Sequence, residues 1–143
     1  DFIVAQLSLI CQSEFHILSQ LLVGNREIAT LTILTGDRIF CCDEAIVAHE
    51  GGMLLGTATI APQGEEQSGQ PGIVGVCVRP EYRHLGLGKR LLLAAINRMQ
   101  ERTLPTPYRV DTVSKMGKRL VAQCSPEVLK LLEVHDTSRW SFE

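Results

Sequence analysis

An α/β fold, a mixed sheet with helices packed on it, is predicted by three features of this 143-residue chain. Ile73, Val74, Val76, Cys77 and Val78 form a near-continuous apolar run. Such a run marks a strand buried on both faces, and Pro80, which cannot donate to a ladder, ends it. From Lys89 the period lengthens. Leu92, Ile96 and Met99 recur at helical spacing, while Asn97, Arg98 and Gln100 to Arg102 take the wet side. Asp43 to Glu50 and Met53 to Ala61 flank Gly51-Gly52, with Thr57 and Thr59 alternating against apolar neighbours, which predicts an antiparallel hairpin.

The other elements follow in chain order. Asp1 to Leu7 reads either as a first strand or as the opening of the helix after it. Ser13 caps an expected amphipathic helix through Phe15, Ile17, Leu18, Leu21 and Leu22, closing at Gly24. Asn25 caps a second expected helix through Ile28, Leu31 and Leu34, closed by Gly36. After the hairpin, Gln63 to Gly72 is a polar loop rich in Gly and Glu. Past the long helix, Leu104-Pro105-Thr106-Pro107 forces an extended connection. Tyr108 to Val113 is then expected as a strand and Lys115 to Gln123 as a helix. Ser125-Pro126-Glu127 starts a last helix through Leu129 and Leu132, with Pro at its first position. No repeat or change of composition divides the chain. A single domain over residues 1–143 is expected, burying roughly 68–70% of its extended-chain surface.

Composition excludes several classes. A net charge of −2, a pI near 6.1 and 5% aromatic residues do not describe a nucleic-acid binder. The five cysteines are odd in number and lack Cys-x-x-Cys spacing, so no metal site is expected. Cys77, placed in the buried strand, reads as a reduced core thiol of a cytoplasmic protein. Asp1 stands where a secretory leader would be basic, and the longest unbroken apolar run, Leu91 to Ile96, is far too short for a membrane span.

Function points to the turn between the buried strand and the long helix, Arg83-His84-Leu85-Gly86-Leu87-Gly88. Glycines there let the backbone approach a ligand, with the first free N–H groups of the helix directed at it. Arg79, Arg83, Lys89 and Arg90 surround the turn, opposed only by Glu81. Cations at a helix N-terminus cost about 0.3–1 kcal/mol each when exposed, a conflict that a bound polyanion removes. The plainer alternative is an ordinary connection whose charges are solvated. Two phosphate motifs fail. A Walker loop would need Gly at Arg83 and Ser or Thr at Arg90, and the dinucleotide fingerprint would need Gly at Leu91.

The segment resembles the acyl-coenzyme A signature of the GCN5-related N-acetyltransferases (GNAT), Arg/Gln-x-x-Gly-x-Gly/Ala after a strand ending Val-x-Pro-x-Tyr. Val78, Pro80, Tyr82, Arg83, Gly86 and Gly88 supply it here. The resemblance implies the GNAT acyl-CoA N-acyltransferase fold, a mixed, mostly antiparallel sheet flanked by helices. Its element order is strand, two helices, three strands, helix, strand, helix. It implies an N-acetyltransferase moving an acetyl group from acetyl-CoA to a primary amine of a small molecule or peptide by direct attack. The stretch Val76-Cys77-Val78 would line the pantetheine arm and face the thioester. Arg83, His84, Leu85, Gly86, Leu87, Gly88 and Lys89 would hold the pyrophosphate. No metal, nucleic acid or membrane is implied.

The proton-transfer groups are more open. Glu44 and Glu50 flank the second strand, the first of the hairpin, with His49 beside Glu50; Asp111 lies on the strand after the long helix, and His135 near the tail. An ordinary carboxylate, near 4.3, matches amine deprotonation poorly, and imidazole starts closer to neutrality. Glu50 and His49 are the base candidates, each weighed against a plain surface or structural role. Tyr108 is the candidate general acid, while Tyr82 is expected to pack the turn. The tail departs from the family pattern. Members typically end in two long antiparallel strands, whereas Asp136 to Glu143 leaves room for one short strand, and no Tyr stands on either late helix. A partner chain that completes the sheet, in a homodimer, and a non-catalytic acyl-CoA-binding or sensing domain both remain open. A basic docking patch for an acidic macromolecule is the weakest reading.

Overall fold

The computed structural model describes residues 14–23, 26–39, 42–61, 71–112 and 115–136. Among these residues seven strands form one sheet in chain order: β1 (Glu14–Val23), β2 (Arg26–Ile39), β3 (Cys42–Glu50), β4 (Met53–Ala61), β5 (Gly72–Val78), β6 (Tyr108–Thr112) and β7 (Leu132–Asp136). The first five pair antiparallel, and β5, β6 and β7 run parallel. Parallel neighbours need crossovers. The long helix α1 (Leu87–Glu101) joins β5 to β6, and α2 (Lys115–Ala122) with the one-turn α3 (Pro126–Leu129) joins β6 to β7.

Right-handed crossovers that step the same way along a sheet put their helices on one face. Val121 of α2 and the following Cys124 accordingly join the core that α1 makes with β2 to β6. On α1 the expected positions Leu92, Ile96 and Met99 are all buried, together with Leu87, Leu91 and Ala95. The hairpin of β3 and β4 turns at Gly51 and Gly52, both at positive φ. Ser125 caps α3, its side chain accepting from the Val128 N–H, with Pro126 at the first helical position as expected.

Four expectations need correction. The segments expected as helices at Ser13–Gly24 and Asn25–Gly36 are the strands β1 and β2, paired over nearly their whole lengths. Residues 29–35 read Ala-Thr-Leu-Thr-Ile-Leu-Thr. Ala29, Leu31 and Ile33 alternate into the core that packs α1, a period of two, and their Thr and Ile neighbours favour strand. The last helix, expected to run through Leu132, stops at Leu129, and Leu132 instead opens β7; of the Asp136 to Glu143 tail, residues 137–143 lie outside the described residues. Cys77 is exposed rather than buried. The strand around it has only its inner side against α1, with Val76 and Val78 half-buried there. Arg98 and Arg102, expected on the wet side of α1, instead reach the buried Glu44 of β3. Asp1 to Leu7 and Gln63 to Gln70 lie outside the described residues.

Candidate functional site

Two adjacent parallel strands part company at the site. β5 and β6 pair only at Gly72 with Arg109 and Ile73 with Val110, whereas β6 and β7 pair over five residues. At the closed end the backbones pack tightly. A Cβ on Gly72 would lie 2.7 Å from the Arg109 carbonyl oxygen. Immediately beyond, Ile73 opposes Ile60 while Gly75 opposes Thr59, so Val74 is one residue more than β4 can match. Such a bulge bends and twists its strand. From there Val76, Cys77 and Val78 keep β4 on one edge, and among the described residues no strand covers the other. Sequence reading missed this bulge, since nothing in the apolar run marks where an extra residue sits.

The turn after β5 is tied back to the hairpin. The Arg79 N–H donates to the Leu55 carbonyl at 2.8 Å, and its Nε donates to the Leu54 carbonyl. Pro80–Leu85, which includes His84, forms a short 3-10 helix, and Arg83 Nε donates to the Val78 carbonyl at 3.0 Å. The signature arginine therefore fixes the end of β5 as well as adding charge. Gly86 follows at φ +74°, the left-handed region glycine enters freely, and nothing lies within 4 Å of where its Cβ would be. α1 starts there. Its helical ladder begins with the Arg90 N–H to the Gly86 carbonyl at 3.2 Å. The N–H groups of Leu87, Gly88 and Lys89 precede that ladder. The first turn holds no acidic residue, and Arg83, Lys89 and Arg90 are exposed around it. A positive dipole end, free amides and cations converge on one spot.

Strand direction sorts the remaining candidates. β3, β5 and β6 point the same way, so His49 and Glu50 at the end of β3 share a sheet end with Val78 and the start of α1. β4 intervenes, which places them about 10 Å aside. Glu50 is exposed. His49 is 4% exposed, its Nε2 lies 2.7 Å from Thr32 Oγ1, and burial holds its pKa below the ordinary imidazole value. Tyr108 begins β6, at the closed end. It is 1% exposed, its hydroxyl donates to the Leu104 carbonyl at 3.1 Å, and burial raises its pKa. Asp111 and His135 stand in register on β6 and β7, and His135 Nε2 lies 2.8 Å from Glu133 Oε1. Glu44 lies at the far end, bound by Arg98 and Arg102.

The acetyltransferase (GNAT) family model matches residues 16–114, from β1 through β6 and just beyond. The chain belongs to the GNAT family. No curated protein and no solved structure matches it significantly. GNAT proteins are in general acyltransferases that use acetyl-CoA, and the seven-stranded mixed sheet flanked by helices is consistent with the GNAT fold. Within the described residues no three His, Cys, Asp or Glu side chains gather as metal ligands. No described helix is long and apolar enough to cross a membrane.

Proposed function

We propose that this GNAT domain, spanning residues 1–143 in the cytoplasm, transfers acetyl from acetyl-CoA to a primary amine of a small molecule or peptide. The observation that supports it is one coincidence of geometry. The open edge of β5 leads directly to a helix N-terminus whose first amides precede the helical ladder. The fit can be judged on the cradle itself, since the space beside Gly86 is open and three amides and the exposed cations border it. Leu87, Gly88 and Lys89 would hold the pyrophosphate through their N–H groups, with Arg83 and Lys89 adding charge. Acetyl-CoA supplies an activated acyl group as its thioester. The backbone at Val76 to Val78 would align the pantetheine arm like an added strand and set a donor toward the thioester oxygen.

The amine must reach the opening neutral. Glu50, exposed, and His49, held neutral by burial, are the proposed proton acceptors at this sheet end, acting through water. The Tyr108 hydroxyl is engaged by Leu104 at the closed end, so this proposal leaves thiolate protonation to water. The same observation favours a second reading, a non-catalytic acyl-CoA-binding or sensing domain, because the other tyrosine, Tyr82, packs on the core. A thiol-release assay over an amine panel, run beside calorimetry with acetyl-CoA, separates them. Binding with turnover that rises between pH 6 and 9 supports the enzyme. Binding without turnover supports the sensor, and no binding at millimolar acetyl-CoA refutes both.

A further inference from the structure

β7 is the last strand of the sheet, and among the described residues no strand pairs with its outer edge. Its inner edge can be assigned. The Tyr108 N–H donates to the Leu131 carbonyl at 2.8 Å, and backbone groups alternate along a strand. Leu131, Glu133 and His135 thus direct their N–H and C=O groups to β6, and Leu132, Val134 and Asp136 direct theirs outward. We propose that this edge pairs with β7 of a second copy, antiparallel, about a two-fold axis through Val134.

The sequence Leu-Glu-Val-His-Asp is self-complementary in that register. Val134 meets Val134 of the partner subunit in a hydrogen-bonded pair, and each Leu132 meets Asp136 of the partner subunit in another. All the outward groups are therefore used in both copies. Glu133 then stands opposite His135 of the partner subunit in a non-hydrogen-bonded pair, where side chains come closest. A carboxylate facing an imidazole on both sides of the axis is a matched arrangement, and the Glu133–His135 contact of 2.8 Å within one chain shows that these two groups already associate. A one-residue slip would set Glu133 and His135 against Val134 and Leu132 and lose the match. Val134, 44% exposed, adds an apolar side chain at the axis itself. The short strand makes this a small, reversible interface, of the weak class.

Sedimentation of the full chain over roughly 1–500 μM tests it, a range suited to weak association. The expected result is a concentration-dependent rise from 15.8 kDa toward twice that mass. Val134→Pro removes an outward N–H without touching the ladder to β6, and is expected to stay monomeric with an unchanged circular dichroism spectrum. His135→Glu sets like charges opposite each other and should weaken pairing at least tenfold. The swap Glu133→His with His135→Glu should restore it. A chain monomeric throughout, or a dimer that Val134→Pro and His135→Glu both leave unchanged, overturns the proposal. If either variant misfolds, the wild-type mass and the swapped pair still decide.

Discussion

Replacing Glu44 with Ala tests what holds α1 to the sheet. Glu44 is 3% exposed at the start of β3 and receives Arg98 Nε at 3.0 Å, Arg98 Nη2 at 2.9 Å and Arg102 Nη1 at 2.5 Å. Hydrogen bonds to charged groups contribute about 1.5–3 kcal/mol each, and breaking a buried pair costs about 3–5 kcal/mol. Those figures are upper bounds here. The arginine side chains are 30% and 31% exposed, so both regain water once the carboxylate is gone. The expected loss is about 2–3 kcal/mol, or roughly 6–9 °C in Tm at about 3 °C per kcal/mol for a chain of this size. Denaturant unfolding of Glu44→Ala, Arg98→Ala and the double variant measures it, with an expected coupling of about 1–2 kcal/mol. A loss below 1 kcal/mol with no coupling would mean that apolar packing alone seats the helix, and the reasoning would fail.

Three further outcomes are expected. Gly88→Ala finds only ordinary contacts, Val78 Cγ2 at 3.6 Å and Leu120 at 3.8 Å, so it should stabilise the helix by about 0.5–1 kcal/mol; calorimetry should nevertheless show weaker acetyl-CoA binding, and unchanged affinity would move the cradle elsewhere. His49 titrates below the ordinary 6.5 in the folded state, so the unfolded chain binds its proton first and stability falls as pH drops below about 6.5; His49→Gln should flatten that part of the Tm-versus-pH curve, and an unchanged slope refutes the assignment. Gly72→Ala forces a carbon to within 2.7 Å of the Arg109 carbonyl oxygen, so it should cost about 1–3 kcal/mol and speed amide exchange at Arg109 and Ile73; a neutral result would show that β6 shifts freely.

Legibility in the sequence followed the locality of the signal. The β5–α1 unit could be read because the period switch, Pro80 and the two glycines all fall within one short stretch. For β1 and β2 the local signal misleads, because leucines and isoleucines three and four apart also fit a helix, while Thr30, Thr32 and Thr35 favour strand. Exposure of Cys77 depends on the extra residue at Val74, which leaves Val76 and Val78 facing α1 and Cys77 facing away, and no local pattern marks that residue. The clamp on Glu44 joins residues 54 and 58 positions apart, beyond any spacing rule. Candidate site residues fared likewise. The cradle is contiguous in sequence and in space, whereas His49 and Glu50 reach the same sheet end only through strand direction, and Tyr108 lies at the other end.

The extra residue at Val74 makes β5 a strand with two reading frames. An uninterrupted strand would turn Ile73, Gly75 and Cys77 to one side; here the inward set is Ile73, Val76 and Val78. The first frame is set by the core, the second by Arg79, anchored to Leu54 and Leu55. Between these two anchors the one unmatched residue carries the change of phase. Exchanges such as Val76→Ile keep both frames; deleting Val74 would leave Ile73, Val76 and Val78 inward in plain alternation, whereas deleting Val76 would turn Cys77 inward. The extra residue, rather than the apolar composition, sets the bend of this segment, and engineering of the site must account for it.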